Sequence, residues 1–232
     1  MTVTYIMNTI DRFDITPKLT VRNIQRAGRP VNQIIITDNG SSDQRIKRWA
    51  GGFAHKYIQN PENIGNPQAL NNALSLATGD IIVIAGNDIE LPANWLNDAI
   101  KELREPKVGL VGFNWRGNHA KCKKELHNGL KVPVKGSSIF GTWVMTKQTF
   151  QKVGYFNEFS KYGLWDSAYN KRCEDAGLIN GYINGRDSIH LANDTDTSSE
   201  YRKMKDKELS KAKKGFVAYE KGRPDNYYLK RP

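Results

Sequence analysis

The first 113 residues alternate short apolar runs with segments whose apolar positions recur at helical spacing. Val3–Met7, Val31–Thr37, Lys56–Gln59, Asp80–Ala85 and Val108–Phe113 predict five strands. Ile34-Ile35-Ile36 and Ile81-Ile82-Val83-Ile84 are continuous apolar runs. Such runs mark strands covered on both faces, as in a parallel sheet. Thr16-Pro17 predicts a helix start with Thr16 as N-cap, followed by Leu19, Val21, Ile24 and Ala27 and stopped at Gly28. The turn cluster Asp38–Asp43 precedes a short helix near Gln44–Ala50. Asn66-Pro67 opens a helix running through Leu70 and Ala77 to Gly79, and Pro92 opens another to about Arg104. Strand and helix alternating at this spacing predict an α/β chain with a Rossmann-like, mostly parallel central sheet and helices on both faces.

Beyond residue 113 the pattern changes. Residues 114–135 are polar and basic without periodicity and read as a long loop, a feature that is usually functional or mobile. Ser137–Met145 predicts a strand, Lys147–Val153 a short helix, and Asp166–Ala176 a helix closed by Gly177. From Ser198 to Glu220, Tyr201, Met204, Leu209, Ala212, Phe216 and Tyr219 recur at helical spacing, so an amphipathic helix with a lysine-rich outer face is expected to pack on the domain.

Charge sharpens this division. Of 35 basic and 24 acidic residues, six bases against one acid lie in 116–135, and eleven against five in 200–232. The rest of the chain is neutral. These two segments either keep the surface soluble or attract polyanions. No apolar stretch approaches the ~20 residues needed to span a bilayer, and the N-terminus lacks a basic, cleavable leader, so a cytoplasmic protein is expected. Cys122 and Cys173 are too few for a disulfide framework or a CxxC clip.

Glycine-rich phosphate signatures and the Gly-x-Ser-x-Gly elbow are absent. In a parallel sheet, ligands sit beyond the carboxyl ends of the strands. Thr9, Asp11, Asp38, Asn63, Asn87 and Asp88 follow predicted strands and are therefore site candidates. Asp88 and Glu90 offer hard oxygen ligands suited to Mg²⁺ or Mn²⁺ bridging to phosphates; a turn capping the next helix accounts for them equally well. Asp166 at a helix start reads as a capping residue. His190 lies in a polar stretch and reads as structural or exposed.

Four ordered blocks then resemble the family 2 glycosyltransferases of the GT-A fold. They are Ile34-Ile-Ile-Thr-Asp-Asn-Gly-Ser-Ser-Asp43; Asn63-Ile-Gly with Asn71–Asp80 and Asn87-Asp88-Ile-Glu90-Leu-Pro92; Val153-Gly-Tyr-Phe-Asn-Glu158; and Trp165-Asp166 with Arg172 and Gly177. The match covers roughly residues 2–195. The family's Asp-x-Asp stands here as Gly86-Asn87-Asp88, and the Glu of its Glu-Asp pair is Trp165.

The resemblance implies an inverting, metal-dependent transfer of a sugar from a nucleotide diphosphate sugar. By this analogy Thr9, Asp11, Asp38, Asn63 and Asn87 bind the nucleotide sugar, with Asp38 accepting a bond from the base. Asp88, Glu90 and His190 would hold Mn²⁺ or Mg²⁺, and Asp166 would be the general base. Residues 1–197 would form the GT-A domain, with 1–113 as the nucleotide-sugar half and 114–197 as the acceptor and catalytic half. Residues 198–232 would form a basic helix and tail.

The basic loop 116–135, with Trp115, Arg116, Lys121, Lys123, Lys124 and Trp165 on the acceptor side and His119 and His127 nearby, points to an anionic acceptor. A glycan or a lipid-linked saccharide, with peripheral membrane contact, comes first. DNA bearing a hydroxylated base comes second. The rival of another class is a non-catalytic basic module that binds nucleic acid.

Overall fold

The computed structural model describes residues 1–116, 121–127, 129–134, 138–191 and 199–222. The chain runs β1 (Val3–Thr9), α1 (Thr16–Gln25), β2 (Gln33–Asn39), α2 (Gln44–Phe53), β3 (Lys56–Asn60), α3 (Asn66–Leu74), β4 (Ile81–Ala85), β5 (Ile89–Glu90), α4 (Trp95–Glu102) and β6 (Val108–Gly112). It continues with β7 (Cys122–His127), β8 (Leu130–Pro133), β9 (Trp143–Thr146), α5 (Lys147–Val153), α6 (Trp165–Asp175), β10 (Ile179–Ile183), β11 (Ile189–His190) and α7 (Ser199–Gly222).

Among the described residues nine strands form one sheet in the order β3-β2-β1-β4-β9-β6-β10-β8-β7, and β11 pairs with β5 in a second. The first four strands are parallel, as their isoleucine runs predict. β9 lies antiparallel between β4 and β6, and β10 pairs parallel with β6, so the far half is mixed. Alternation divides the strand residues between two buried layers. Tyr5, Met7, Ile34, Ile36 and Val83 join Trp95, Leu96 and Ile100 of α4 on one face. Ile6, Ile35, Ile82 and Ile84 join Leu70, Ala73 and Leu74 of α3 on the other.

Four expectations are corrected. Residues 114–135 are not a continuous loop: β7 and β8 form an antiparallel hairpin that joins the sheet at β10. Its lysines hide the strand alternation, and pairing with β10 makes the strand. Of the expected strand Ser137–Met145, Ser137 lies outside the described residues, and β9 begins only at Trp143. Ile139 instead exchanges hydrogen bonds with Asn170 of α6, which ties its backbone to that helix rather than to a neighbouring strand. Ile15 rather than Thr16 occupies the N-cap of α1. Finally, α3 stops at Leu74, well before Gly79.

The start of α3 is built on a close backbone approach. Gly65 has φ 100°, and a Cβ there would lie 2.8 Å from Lys161 Cα. Gly177, closing α6, has φ 76° and open space around it. Gly65→Ala therefore adds a backbone clash to the left-handed strain that Gly177→Ala would also incur. Thermal unfolding of the two variants should show the larger loss at Gly65, about 1–3 kcal/mol or more. Equal losses would mean that the loop yields freely.

Helix α7 lies against the loop before α6. Glu208, 7% exposed, accepts from the Lys161 N–H at 3.0 Å, and Ala212 is fully buried. Lys161 in turn binds the loop that opens α3: its carbonyl accepts from Asn66 N–H at 3.1 Å, and its ammonium donates to the Asn63 carbonyl at 2.6 Å. Among the described residues no helix is long and apolar enough to cross a membrane.

Candidate functional site

Because β1 lies between β2 and β4, the strand order reverses there, and the crevice beyond the carboxyl ends of β1 and β4 is the natural ligand position. Thr9 ends β1 and is buried. Its hydroxyl accepts from Asn87 Nδ2 at 3.2 Å, and the same amide reaches Thr16 Oγ1 at 3.4 Å. Asn87 is thereby fixed between β1 and α1. The backbone just before α1 carries two left-handed residues that are not glycine, Asp11 (φ 50°) and Arg12 (φ 61°). Strain of this kind costs about 1–3 kcal/mol per residue and clusters at functional sites.

Asp88 meets His190 across this crevice, with Oδ2 3.3 Å from Nε2. The pairing has a backbone cause. His190 sits opposite Ile89 in the β5–β11 pair, and Leu191 N–H donates to the Asp88 carbonyl at 2.8 Å. Trp115 lies flat on the imidazole, with ring centres 4.1 Å apart and planes within 4°. Phe140 meets Trp115 edge-on at 4.6 Å. The Trp115 backbone bridges to Ser188, so the stacked ring and the histidine it covers belong to one pair of adjacent segments.

A carboxylate oxygen beside an imidazole nitrogen, both partly exposed, is a donor set that suits Mn²⁺. Among the described residues no third His, Cys, Asp or Glu completes a cluster. Two protein ligands nonetheless fit a cation of this class, which keeps water and takes substrate phosphate oxygens.

Glu90, expected as a ligand beside Asp88 and His190, is ion-paired in this structure. Both of its oxygens are occupied by guanidinium groups, Arg22 at 2.9 Å and Arg26 at 2.7 Å. Those arginines flank Asn23, whose amide binds the Ile89 carbonyl and the Leu91 N–H and so holds β5 to α1. Asp38, expected to accept a bond from the base, is held by the protein's own donors. It is wholly buried, with one oxygen accepting from Ser41 N–H at 2.8 Å and the other from Tyr57 OH at 2.9 Å. It shapes the turn after β2.

Asp11 ties the β1 and β2 loops together, its Oδ1 accepting from Ser42 N–H and Asp43 N–H at 2.9 Å each. Asn63 is exposed, and its side-chain oxygen accepts from Asn39 Nδ2 at 3.0 Å and Gly65 N–H at 2.9 Å. Trp165, expected on the acceptor side, joins an aromatic cluster while staying partly exposed. It stacks on Trp143 at 5.4 Å and meets Phe156 edge-on at 5.1 Å.

Asp166 stands in the first turn of α6. Its Oδ1 accepts from Ser167 N–H at 2.8 Å. Burial pushes its carboxyl above the usual carboxylate range, against the opposing pull of that bond. The segment Ser138–Gly141, read in the sequence as part of a strand, connects the start of α6 to the Asp88–His190 pair. Ser138 Oγ lies 3.0 Å from Ser167 Oγ, and Asn170 holds both the N–H and the carbonyl of Ile139 at 3.0 Å. Tyr182 OH donates to the Ser138 carbonyl at 2.9 Å and accepts from Phe140 N–H at 3.2 Å. Phe140 then touches Trp115, which covers His190. The signal for this tether was faint: a serine-aromatic-glycine stretch with a left-handed Gly141 between a polar loop and a strand.

Arg116 is exposed immediately after Trp115, and Lys121 is exposed just before β7. The side chains of Lys123, Lys124 and His127, and His119 entirely, lie outside the described residues.

Comparison with known proteins gives a consistent family. The model for Glycosyl transferase family 2 matches residues 18–158, more than half of the chain. Over 166 residues the chain is 24% identical to Probable polypeptide N-acetylgalactosaminyltransferase 8 of Homo sapiens, covering 54% of this chain and 25% of that protein. The chain thus spans about a quarter of that relative's length. A mannosyltransferase from Pyrobaculum calidifontis, solved with GDP-Man and Mn²⁺, superposes with a TM-score of 0.69 at 21% identity, covering 98% of this chain and 67% of its own. Glucosyl-3-phosphoglycerate synthase from Mycobacterium tuberculosis, solved with Mn²⁺, UDP and phosphoglyceric acid, superposes at 0.65 with 15% identity, covering 97% and 80%. The shared architecture is the GT-A fold.

Proposed function

The chain belongs to glycosyl transferase family 2, and from that membership we propose that it moves a sugar from a nucleoside diphosphate to an acceptor hydroxyl with inversion at the anomeric carbon. The observation that carries this reading is the tether from Asp166 through Ser138–Gly141 to the Asp88–His190 pair. Connecting the start of α6, where Asp166 stands, to the Asp88–His190 pair, it supports assigning these residues to one site. Asp88 and His190 would hold Mn²⁺ or Mg²⁺, which supplies charge stabilisation to a departing diphosphate. Thr9 and Asn87 line the donor side of the crevice.

Asp166 takes the proton of the acceptor hydroxyl as its oxygen bonds to the anomeric carbon and the bond to the diphosphate oxygen breaks. Its raised affinity for protons suits a general base, provided that it enters the reaction ionised. Exposed Arg116 and Lys121 support an anionic acceptor, a glycan or lipid-linked saccharide.

Thermal unfolding against a panel of nucleoside diphosphates, with and without Mn²⁺, tests the donor side. At 100 times its dissociation constant, the matching nucleotide should stabilise the chain by about 2.7 kcal/mol in the presence of the ion. No shift with any nucleotide in either condition would sink the reading.

A further inference from the structure

Helix α7 has two chemically distinct faces. One holds Glu208, Ala212, Gly215 and Phe216 and turns towards the domain, Glu208 and Ala212 being buried and Gly215 lying against Phe159. The opposite face carries Lys203, Lys207 and Lys214, all exposed. At 3.6 residues per turn these three lysines point within about 40° of one another, along about 16 Å of helix. Lys211 flanks them and is shared with Glu208 at 2.6 Å. Val217, 51% exposed, follows one turn after Lys214. Among the described side chains of α7, Asp206 is the exposed acid, and it lies to one side of the row.

A solubilising surface mixes signs, and acids spaced at i+4 from bases stabilise a helix. Here Lys203–Lys207 and Lys207–Lys211 are like-charged pairs at that spacing, which costs the helix stability. An anionic partner relieves this repulsion. The inner face packs α7 against the Lys161 loop, so the row faces away from the domain. The described residues of its outer face include neither an arginine for bidentate phosphate contacts nor an aromatic ring for base stacking. Lysines acting as point charges, with an apolar side chain at one end, match a flat field of anionic headgroups better than a nucleic-acid backbone.

We propose that the outer face of α7, through Lys203, Lys207 and Lys214, docks this protein on an anionic bilayer surface. This surface is separate from the candidate active site, and its test reads binding alone. The full chain is sedimented with phosphatidylcholine vesicles and with phosphatidylcholine–phosphatidylglycerol vesicles. Binding is expected to the second only. It should fall as added salt shrinks the Debye length from about 10 Å to about 3 Å.

The triple variant Lys203→Gln, Lys207→Gln, Lys214→Gln should partition about 100-fold more weakly, taking about 1 kcal/mol per lysine at the surface. The matching triple arginine variant should bind like the native chain. Since all three side chains point outward, circular dichroism of both variants should match the native spectrum. Equal binding to neutral vesicles, or native-like binding by the glutamine variant, would overturn the proposal. So would competition in which duplex DNA strips the protein from anionic vesicles at equal phosphate concentration, which would assign the strip to nucleic acid.

Discussion

Asp166→Asn is expected to lower turnover by about 10²–10⁴-fold, the range supplied by a positioned general base. It should leave Mn²⁺-dependent nucleotide binding intact. The amide keeps the shape of the carboxylate and can still accept from the Ser167 N–H. What it lacks is the capacity to take a proton.

The same substitution should raise the melting temperature near neutral pH. Burial lifts the folded-state pKa of Asp166 above its unfolded value, so the folded chain binds the proton more tightly. That linkage favours folding at low pH and is lost as pH rises through the folded pKa. Near neutrality the ionised carboxylate is therefore a burden that asparagine does not carry, and each 1 kcal/mol recovered corresponds to about 2–4 °C in a chain of this size. Below about pH 4, where the unfolded carboxyl also protonates, the difference between the two proteins should shrink. The acid limb of native kcat should likewise lie above the ordinary carboxylate range. Native-like turnover in the variant would remove Asp166 from the mechanism, while lost turnover with an unchanged or lower melting temperature would remove desolvation as the source of its basicity.

How far the residue pattern reaches into such a site is decided by which contacts are local. The parallel half of the sheet was legible because β2 and β4 are continuous aliphatic runs, and the helix starts because Pro17 and Pro67 follow polar residues. The β7–β8 hairpin was not, because in Cys-Lys-Lys-Glu-Leu-His a lysine interrupts the face shared by Cys122 and Leu126, and the segment becomes a strand through pairing with its neighbour. The same distinction holds at the site. Asp88 and Asp166 stood out by block order. Glu90 stood out by its place two residues from Asp88, whereas its ion pairs with Arg22 and Arg26 join residues 68 and 64 positions apart and have no local signal. The Ser138–Gly141 tether rests on contacts spanning some thirty to forty residues, and nothing local announces them.

Asp88→Asn provides the second large effect. Asparagine preserves size and one oxygen but removes the negative charge that would face a cation beside His190. Disturbing even the groups that support metal ligands typically costs 10–100-fold in affinity, so replacing a direct ligand should weaken Mn²⁺-dependent nucleotide binding by at least about 100-fold. Titration calorimetry with and without the ion reads this directly. Binding in the absence of Mn²⁺ should change little.

Glu90→Gln is the discriminating control. Its oxygens serve Arg22 and Arg26, so its loss should lower the melting temperature by leaving two guanidinium groups without their shared counter-charge. Those arginines are about 40% exposed, which limits the cost through screening. Mn²⁺ dependence should survive in that variant. If instead Glu90→Gln abolishes the ion's effect and Asp88→Asn does not, the cation is held on the other carboxylate, and the β5–β11 pairing that brings His190 to Asp88 has a purely structural purpose.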